Sequence, residues 1–287
     1  MGPKDEVWRI ARHTRDWLRD RGAWEPLEPA FSWLAPRLVR PEASELEFST
    51  PDGFRLAIPP EFPSGQRYRE GCYEPEMVAL FRRTLRPGWT VIDAGANIGY
   101  FTLLASRLVG PSGRVIAFEP DPTNFEYLVR NIRANGCANV QAERLALSDR
   151  TGSLPFRRDR FKSEGHLVEG SPPGRGAIAV PTVRLDDFAQ QHRIDTVQFI
   201  KFDIEGGEPA ALRGMAESSR RWPELRLVVE FSRRALTREG RPATELFDVL
   251  RSLGFKFVRS TERPDVSYSL DRTPPLAGHA EGFEVWR

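Results

Sequence analysis

Ten residues, Val91-Ile92-Asp93-Ala94-Gly95-Ala96-Asn97-Ile98-Gly99-Tyr100, constrain this chain more than any other stretch. An apolar run ends at an acid, a turn of small residues follows, and an amphipathic segment runs from Ile98 to Val109. That pattern predicts a strand, a tight loop and a helix. Gly95 and Gly99 lack Cβ, so backbone can approach a ligand closely and positive φ costs little. The loop also precedes a helix N-terminus, where free N–H groups favour anionic or electron-rich ligand atoms. The order acid-x-Gly-x-Asn-x-Gly is not the Gly-x-Gly-x-x-Gly fingerprint of dinucleotide sites, which argues against a nicotinamide-dependent oxidoreductase.

A second acid belongs with the first. Arg114 to Phe118 reads as the next strand and ends at Glu119, twenty positions beyond Gly99. A carboxylate at the tip of a second strand can accept both hydroxyls of a ribose. The Asp93 turn with this acid resembles the first two motifs of class I S-adenosylmethionine (SAM) methyltransferases.

Charge argues against a nucleic-acid partner: the formal net charge is +2, with 29% charged residues of both signs interleaved. Cys72 and Cys137 make neither a disulfide framework nor a metal cluster. No apolar run reaches membrane-spanning length and the N-terminus shows no signal-peptide core, so a cytoplasmic protein without a membrane partner is expected.

Residues 1–50 read as a helical N-terminal extension, with Trp8, Ile10, Trp17 and Leu18 at helical spacing and Trp24 and Trp33 beyond. A cap packed on the main domain is the expected role, with a homodimer contact or a lid as alternatives. Residues 51–287 read as one domain. Glu45 to Ile58 predicts a hairpin turned at Pro51-Asp52-Gly53. A helix from Met77 to Leu85 starts at Tyr73-Glu74-Pro75-Glu76. Helix Pro122–Asn135, strand Val140–Leu147, short strand Ser153–Phe156 and strand Ala177–Val183 follow, with a mobile loop from Arg157 to Gly176. Then come a short helix Leu185–His192, strand Val197–Gly206, helix Glu208–Ser218, strand Leu225–Phe231 and helix Ala243–Leu253. Phe255–Val258 and Phe283–Trp286 are closing strands. This alternation predicts an α/β, Rossmann-like, doubly wound sheet of mostly parallel strands with an antiparallel C-terminal edge.

Three acids, Asp93, Glu119 and Asp203, fall at the carboxyl ends of strands, where ligands bind in such sheets. Several further motifs follow in order: Tyr73-Glu74-Pro75-Glu76, Ala117-Phe118-Glu119-Pro120, Ala146-Leu147-Ser148-Asp149, Val183-Arg184-Leu185-Asp186-Asp187, Ile200-Lys201-Phe202-Asp203-Ile204-Glu205-Gly206 and Val229-Glu230-Phe231. Together they resemble the FkbM-type SAM-dependent methyltransferases over roughly residues 70–255. Phe202 and Gly207 stand where that family commonly carries Ile or Val, and Ala. The resemblance implies methyl transfer from SAM to a hydroxyl of a sugar, polyketide or other natural product. It implies that Asp93, Gly95, Asn97 and Gly99 contact the donor, that Glu119 holds its ribose, and that Ala146 lines the adenine. Tyr73 and Glu74 either close the donor site or cap their helix.

A hydroxyl is a poor nucleophile and gains from a general base. Asp203 is the first candidate and Glu205 the second. Lys201, on the same side of its strand as Asp203, either lowers the hydroxyl's pKa or pairs with Asp203 to hold the turn. His166 is a further candidate from the loop. Asp203 with Glu205 could also hold Mg²⁺, although two carboxylates do not define a metal site. A nucleic-acid or nitrogen-directed methyltransferase, suggested by the basic residues from Arg157 to Lys162, and a SAM-binding protein without catalysis are the competing readings. Asp203-Ile204-Glu205-Gly206 stands where amino-group methyltransferases carry Asn/Asp-Pro-Pro-Tyr/Phe, which points to oxygen.

Overall fold

The computed structural model describes residues 46–59, 65–158, 165–168, 176–238, 240–275 and 280–287, so the tryptophan-bearing extension before residue 46 lies outside the described residues. The expected hairpin is β1 (Leu46–Ser49) and β2 (Arg55–Ile58), paired antiparallel across the Pro51-Asp52-Gly53 turn and crossing the boundary expected at residue 50. Helices α1 (Gly65–Glu70) and α2 (Pro75–Thr84) follow. Strand and helix then alternate through β3 (Thr90–Ala94), α3 (Tyr100–Val109), β4 (Arg114–Phe118), α4 (Pro122–Ala134) and β5 (Val140–Glu143). Next come β6 (Ala146–Leu147), β7 (Gly152–Arg158), β8 (Gly165–Leu167) and β9 (Ile178–Val183). The chain continues through α5 (Leu185–Gln191), β10 (Phe199–Phe202), α6 (Glu208–Arg213), α7 (Ala216–Arg221) and β11 (Arg226–Ser232). It closes with α8 (Arg233–Arg238), α9 (Glu245–Ser252), β12 (Phe257–Ser260), β13 (Ser267–Ser269) and β14 (Ala280–Trp286).

The main sheet runs β13-β12-β14-β11-β10-β3-β4-β5. The pairs from β5 to β11 are parallel, and β14 is antiparallel to both β11 and β12. The sheet is therefore doubly wound and mostly parallel, with its antiparallel strands at the C-terminal side. The final strand is not the outermost one: it inserts between β11 and β12, and β13 forms the edge. The strand order reverses between β3 and β10, and that switch point is where such sheets open a ligand crevice.

Alternating side chains send the apolar residues of the central strands to two cores, one on each face. Ile92, Ala94, Ile200 and Phe202 pack in one, and Val91 and Phe199 in the other. Burial on both faces explains the near-continuous apolar runs of β3, β10 and β11. Asn131, fully buried on α4, ties the hairpin to the glycine loop. Its amide donates to the carbonyls of Ala57 (3.0 Å) and Ile98 (2.8 Å) and accepts from the Ala57 N–H (2.8 Å).

Three stretches depart from the sequence expectation. Val140–Leu147 is two strands, because the chain leaves the main sheet after Glu143 and β6 pairs with β9 in a separate four-stranded sheet, β6-β9-β7-β8. Part of the expected loop from Arg157 to Gly176 is β-structure, with Arg158 opposite Gly165 and Arg157 opposite His166. The expected helix Glu208–Ser218 breaks at Gly214, where a Cβ would lie 2.0 Å from the Ser148 carbonyl oxygen. Asp186 then starts α7, accepting from the N–H groups of Glu217 and Ser218.

Candidate active site

Asp93 to Gly99 leave β3 and enter α3 with three successive devices. Gly95 has φ +80°, and a Cβ there would lie 1.8 Å from the Asp203 carbonyl oxygen. Gly99 has φ +99°, and its Cβ would lie 2.7 Å from Leu128 Cδ1. Asn97 adopts φ 53°, a conformation asparagine tolerates, and its side-chain oxygen accepts from the Ile98 N–H (2.8 Å). The N–H groups of Gly95 to Gly99 are engaged within the fold. Gly95 and Ala96 donate to the Phe118 carbonyl, Asn97 to Glu119, Ile98 to the Asn97 side chain and Gly99 to the Ala96 carbonyl. A tight turn folded onto β4 spends its donors internally. Replacing Gly95 by alanine is expected to destabilise the protein by about 2 kcal/mol or more, because the new Cβ overpacks on backbone and keeps a positive φ. Chemical denaturation checks this.

Glu119 is 4% exposed at the tip of β4. One oxygen accepts from the Asn97 N–H (2.8 Å) and the other from the Asp121 N–H (2.9 Å). Burial pushes its carboxyl up to about 7 against these two donors. Asp121 starts α4, accepting from Thr123 and Asn124, and pairs with Arg158 of β7.

The other side of the loop carries a buried ion cluster. Register places Lys201 of β10 beside Asp93 of β3, and Asp203 follows two residues on. The Lys201 ammonium lies 3.0 Å from Asp203 Oδ2 and 3.5 Å from Asp93 Oδ1, and sits over the Phe101 ring at 5.3 Å. Asp93 also accepts from the Thr102 hydroxyl (2.6 Å). Burial would pull Lys201 down, but Asp203, Asp93 and Glu74 outweigh it and keep the ammonium charged. Burial would raise Asp203, yet Lys201 holds its carboxyl below the usual range. Asp93, fully buried, lies beneath the pocket floor rather than on its wall.

Glu230, at the end of β11, was not singled out as a site residue by sequence. Burial and the neighbouring Asp203 drive its carboxyl well above the ordinary range, and its buried Oε2 has no hydrogen-bond partner among the described residues. One oxygen from each of Asp203, Glu205 and Glu230 lies within 4.8 Å of the others, a grouping that a divalent cation could use. The signal was available, since Glu230 is a fourth acid at the carboxyl end of a strand. Glu205 has φ 57° in the turn after Asp203. That turn is held by Glu208, which accepts from the N–H groups of Ile204 and Gly206 (2.9 Å each), and by Arg238, which donates to the Glu205 carbonyl (2.8 Å).

These groups share a cavity of about 410 Å³. Tyr73 and Glu74 line it. Glu74 occupies the N-cap of α2 but makes no side-chain cap hydrogen bond. Tyr73 packs on Tyr68, with ring centroids 4.1 Å apart, and bonds to Glu74, whose carboxyl burial pushes up to about 6. Ala146 of β6 lines the opposite end with Leu145 and Leu147, and His166 of β8 reaches the same cavity from the small sheet.

The family described as "Methyltransferase FkbM domain" matches residues 93–257. The chain is similar to the 31-O-demethyl-FK506 methyltransferase FkbM of Streptomyces tacrolimicus, at 30% identity over 50% of this chain and 65% of that protein. It is also similar to the hexuronic acid methyltransferase AglP of Haloferax volcanii, at 27% identity over 53% of this chain and 60% of that protein. The chain thus spans less than two thirds of the length of either. A third relative is the 2-O-methyltransferase NoeI of Sinorhizobium fredii, at 23% identity over 69% of this chain and 88% of that protein.

Proposed function

The chain belongs to the FkbM family of SAM-dependent methyltransferases, and from that premise we propose that it methylates a hydroxyl of a sugar, polyketide or other natural product. The observation that carries this reading is Asp203, a carboxylate on the cavity wall beside the Gly95 turn, held 3.0 Å from the buried Lys201 ammonium.

The residues present fit the donor. A side chain at position 95 would fill the space where the turn approaches Asp203, and Glu119 keeps lone pairs for a ribose diol beyond its two backbone donors. Leu145, Ala146 and Leu147, which line the cavity, would offer the adenine an apolar slot with main-chain groups, while Gly95, Asn97, Tyr73 and Glu74, on the same cavity, would hold the methionine end. Gly99 and Asp93 act through the loop they shape. When bound, SAM supplies a methyl group already activated by its sulfonium. The protein then has to align an acceptor oxygen and remove its proton. Asp203 takes that proton, with Lys201 offsetting the charge of the carboxylate group around it. The names of two relatives, which specify oxygen positions, support an oxygen acceptor here.

The test is transfer from methyl-labelled SAM to a panel of hydroxylated glycans and polyketides, with the product's new bond assigned by NMR. A methyl ether is expected. A methylated nitrogen, methylated RNA or DNA, or SAM binding with no transfer to any acceptor would overturn the reading. Calorimetric titration with SAM adds a pH prediction. Ribose hydroxyls donate to an ionised Glu119, so affinity is expected to fall as pH drops below about 7, by at most tenfold per unit for one proton. Apo stability moves the other way. A carboxyl raised from 4.5 to about 7 contributes stability that is complete below 4.5 and lost as pH rises through 7. A SAM affinity that is flat between pH 5.5 and 8 would remove Glu119 from the ribose site.

A further inference from the structure

Four residues of the turn after β10, Asp203, Ile204, Glu205 and Gly207, line the cavity, whereas Glu208 does not. Glu208, the first residue of α6, is 3% exposed and stands behind that wall. The conformation of the turn is imposed by its surroundings. Glu205 (φ 57°) and Gly206 (φ 100°) both lie in the left-handed region, and a glutamate stays there only where its neighbours force it. Inside the turn the Gly207 N–H donates to the Ile204 carbonyl (3.2 Å). Arg238 and Arg241 donate to the carbonyls of Glu205 (2.8 Å) and Gly206 (3.5 Å). Glu208 accepts from the Ile204 N–H with Oε1 and from the Gly206 N–H with Oε2, at 2.9 Å each.

Asp203 is clamped between this turn and the Gly95 loop. Its N–H donates to the Ala94 carbonyl (3.1 Å), and its own carbonyl oxygen lies 1.8 Å from the place a Cβ at Gly95 would take. The start of the turn is therefore fixed by β3 and its loop, and the end by Glu208. A shift of about 1 Å in a reacting group can cost roughly 10²-fold in rate.

We propose that Glu208 is a positioning residue for methyl transfer: by holding the N–H groups of Ile204 and Gly206 it fixes the direction in which Asp203 and Glu205 face the acceptor, without touching donor or acceptor itself. The inference rests on the O-methyl reading, in which Asp203 takes the proton, and adds the group that aims it. The two oxygens make the claim specific. A carboxylate accepts on both, whereas an amide has one acceptor oxygen and a donor NH₂. Glu208→Gln keeps the size of the side chain and sets that NH₂ against one of the two N–H groups. Protonation of Glu208 creates the same mismatch, and burial, with the charge of Asp203, raises its carboxyl to about 7 against its backbone donors. The charged groups around it are Asp203, Glu205, Glu230, Arg238 and Arg241.

The test compares the full chain with Glu208→Gln and with Arg238→Ala, an exposed position that releases the same turn from its other side. Both variants are expected to bind S-adenosylhomocysteine with a Kd within threefold of the parent. In chains labelled with ¹⁵N-glycine, the Gly206 amide resonance is expected to move as Glu208 ionises in the parent and to stay fixed in Glu208→Gln. Single-turnover transfer from methyl-labelled SAM to a glycan methylated in the acceptor panel is expected to fall roughly 10- to 100-fold at pH 8.5 in Glu208→Gln, and severalfold in Arg238→Ala. The ratio of variant to parent rates cancels the titrations they share, and the Glu208→Gln deficit is expected to shrink towards low pH along the Gly206 titration. Rates of both variants within twofold of the parent overturn the proposal and leave the O-methyl reading standing. So does a deficit that does not follow the Gly206 titration, a Gly206 resonance that is equally static in the parent, or a loss of S-adenosylhomocysteine binding that accounts for the lost rate. A parent that binds SAM and transfers to no oxygen overturns the O-methyl reading, and the proposal falls with it even if Gly206 titrates.

Discussion

Asp203→Asn is expected to lower the rate of methyl transfer by about 10²- to 10⁴-fold, the usual contribution of a positioned general base, with SAM affinity changed only a few-fold. The carboxylate faces the cavity and holds a charge because Lys201 lies 3.0 Å away. Asparagine keeps the size of the side chain and one acceptor oxygen but cannot take a proton. Single-turnover transfer from labelled SAM, with binding measured separately, isolates the chemical step. Activity within a few-fold of the parent would exclude Asp203 both as base and as a required metal ligand.

Lys201→Met is expected to destabilise the protein by about 3–5 kcal/mol, because it leaves buried carboxylates without their cation. Lys201 is 2% exposed and Asp93 is fully buried, one of its oxygens depending on the ammonium alone. The surrounding carboxylates hold the lysine above its ordinary value. Its contribution is therefore present throughout the neutral range and lost only as pH rises through that elevated value. Denaturant unfolding of Lys201→Met, Asp93→Asn and the double variant checks this. The double variant should cost clearly less than the sum of the two, since each partner's loss removes the reason for the other's. Additive costs would mean that the two side chains do not stabilise one another.

Much of the framework was legible along the chain, for a local reason. Strand, turn and helix signals at Asp93–Val109 and Arg114–Asn135 depend on residues within one turn or pleat of each other. The acids Asp93, Glu119 and Asp203 advertise themselves because a charge that closes an apolar strand is costly to bury unless it has a partner. The hairpin at Pro51-Asp52-Gly53 follows from turn chemistry in the same way. Misreadings came where distant contacts overrode local preference. The helix expected over Glu208–Ser218 ends at Gly214, which lies so close to the Ser148 backbone that only glycine fits there. His166, expected in a mobile loop, sits on β8 because Gly165–Leu167 pair with β7. Glu74, readable as a helix cap, turns its carboxylate to the cavity instead.

What the sequence determined by itself was the family and the doubly wound scheme, both of which rest on short motifs in fixed order. Only the tertiary structure decided which charges meet. The register of β10 on β3 sets Lys201 against Asp93, more than a hundred residues apart. The insertion of β14 between β11 and β12 carries Glu281 from the end of the chain to the cavity. Neither follows from spacing, because pairing of strands distant in sequence is selected by the packing of the whole sheet.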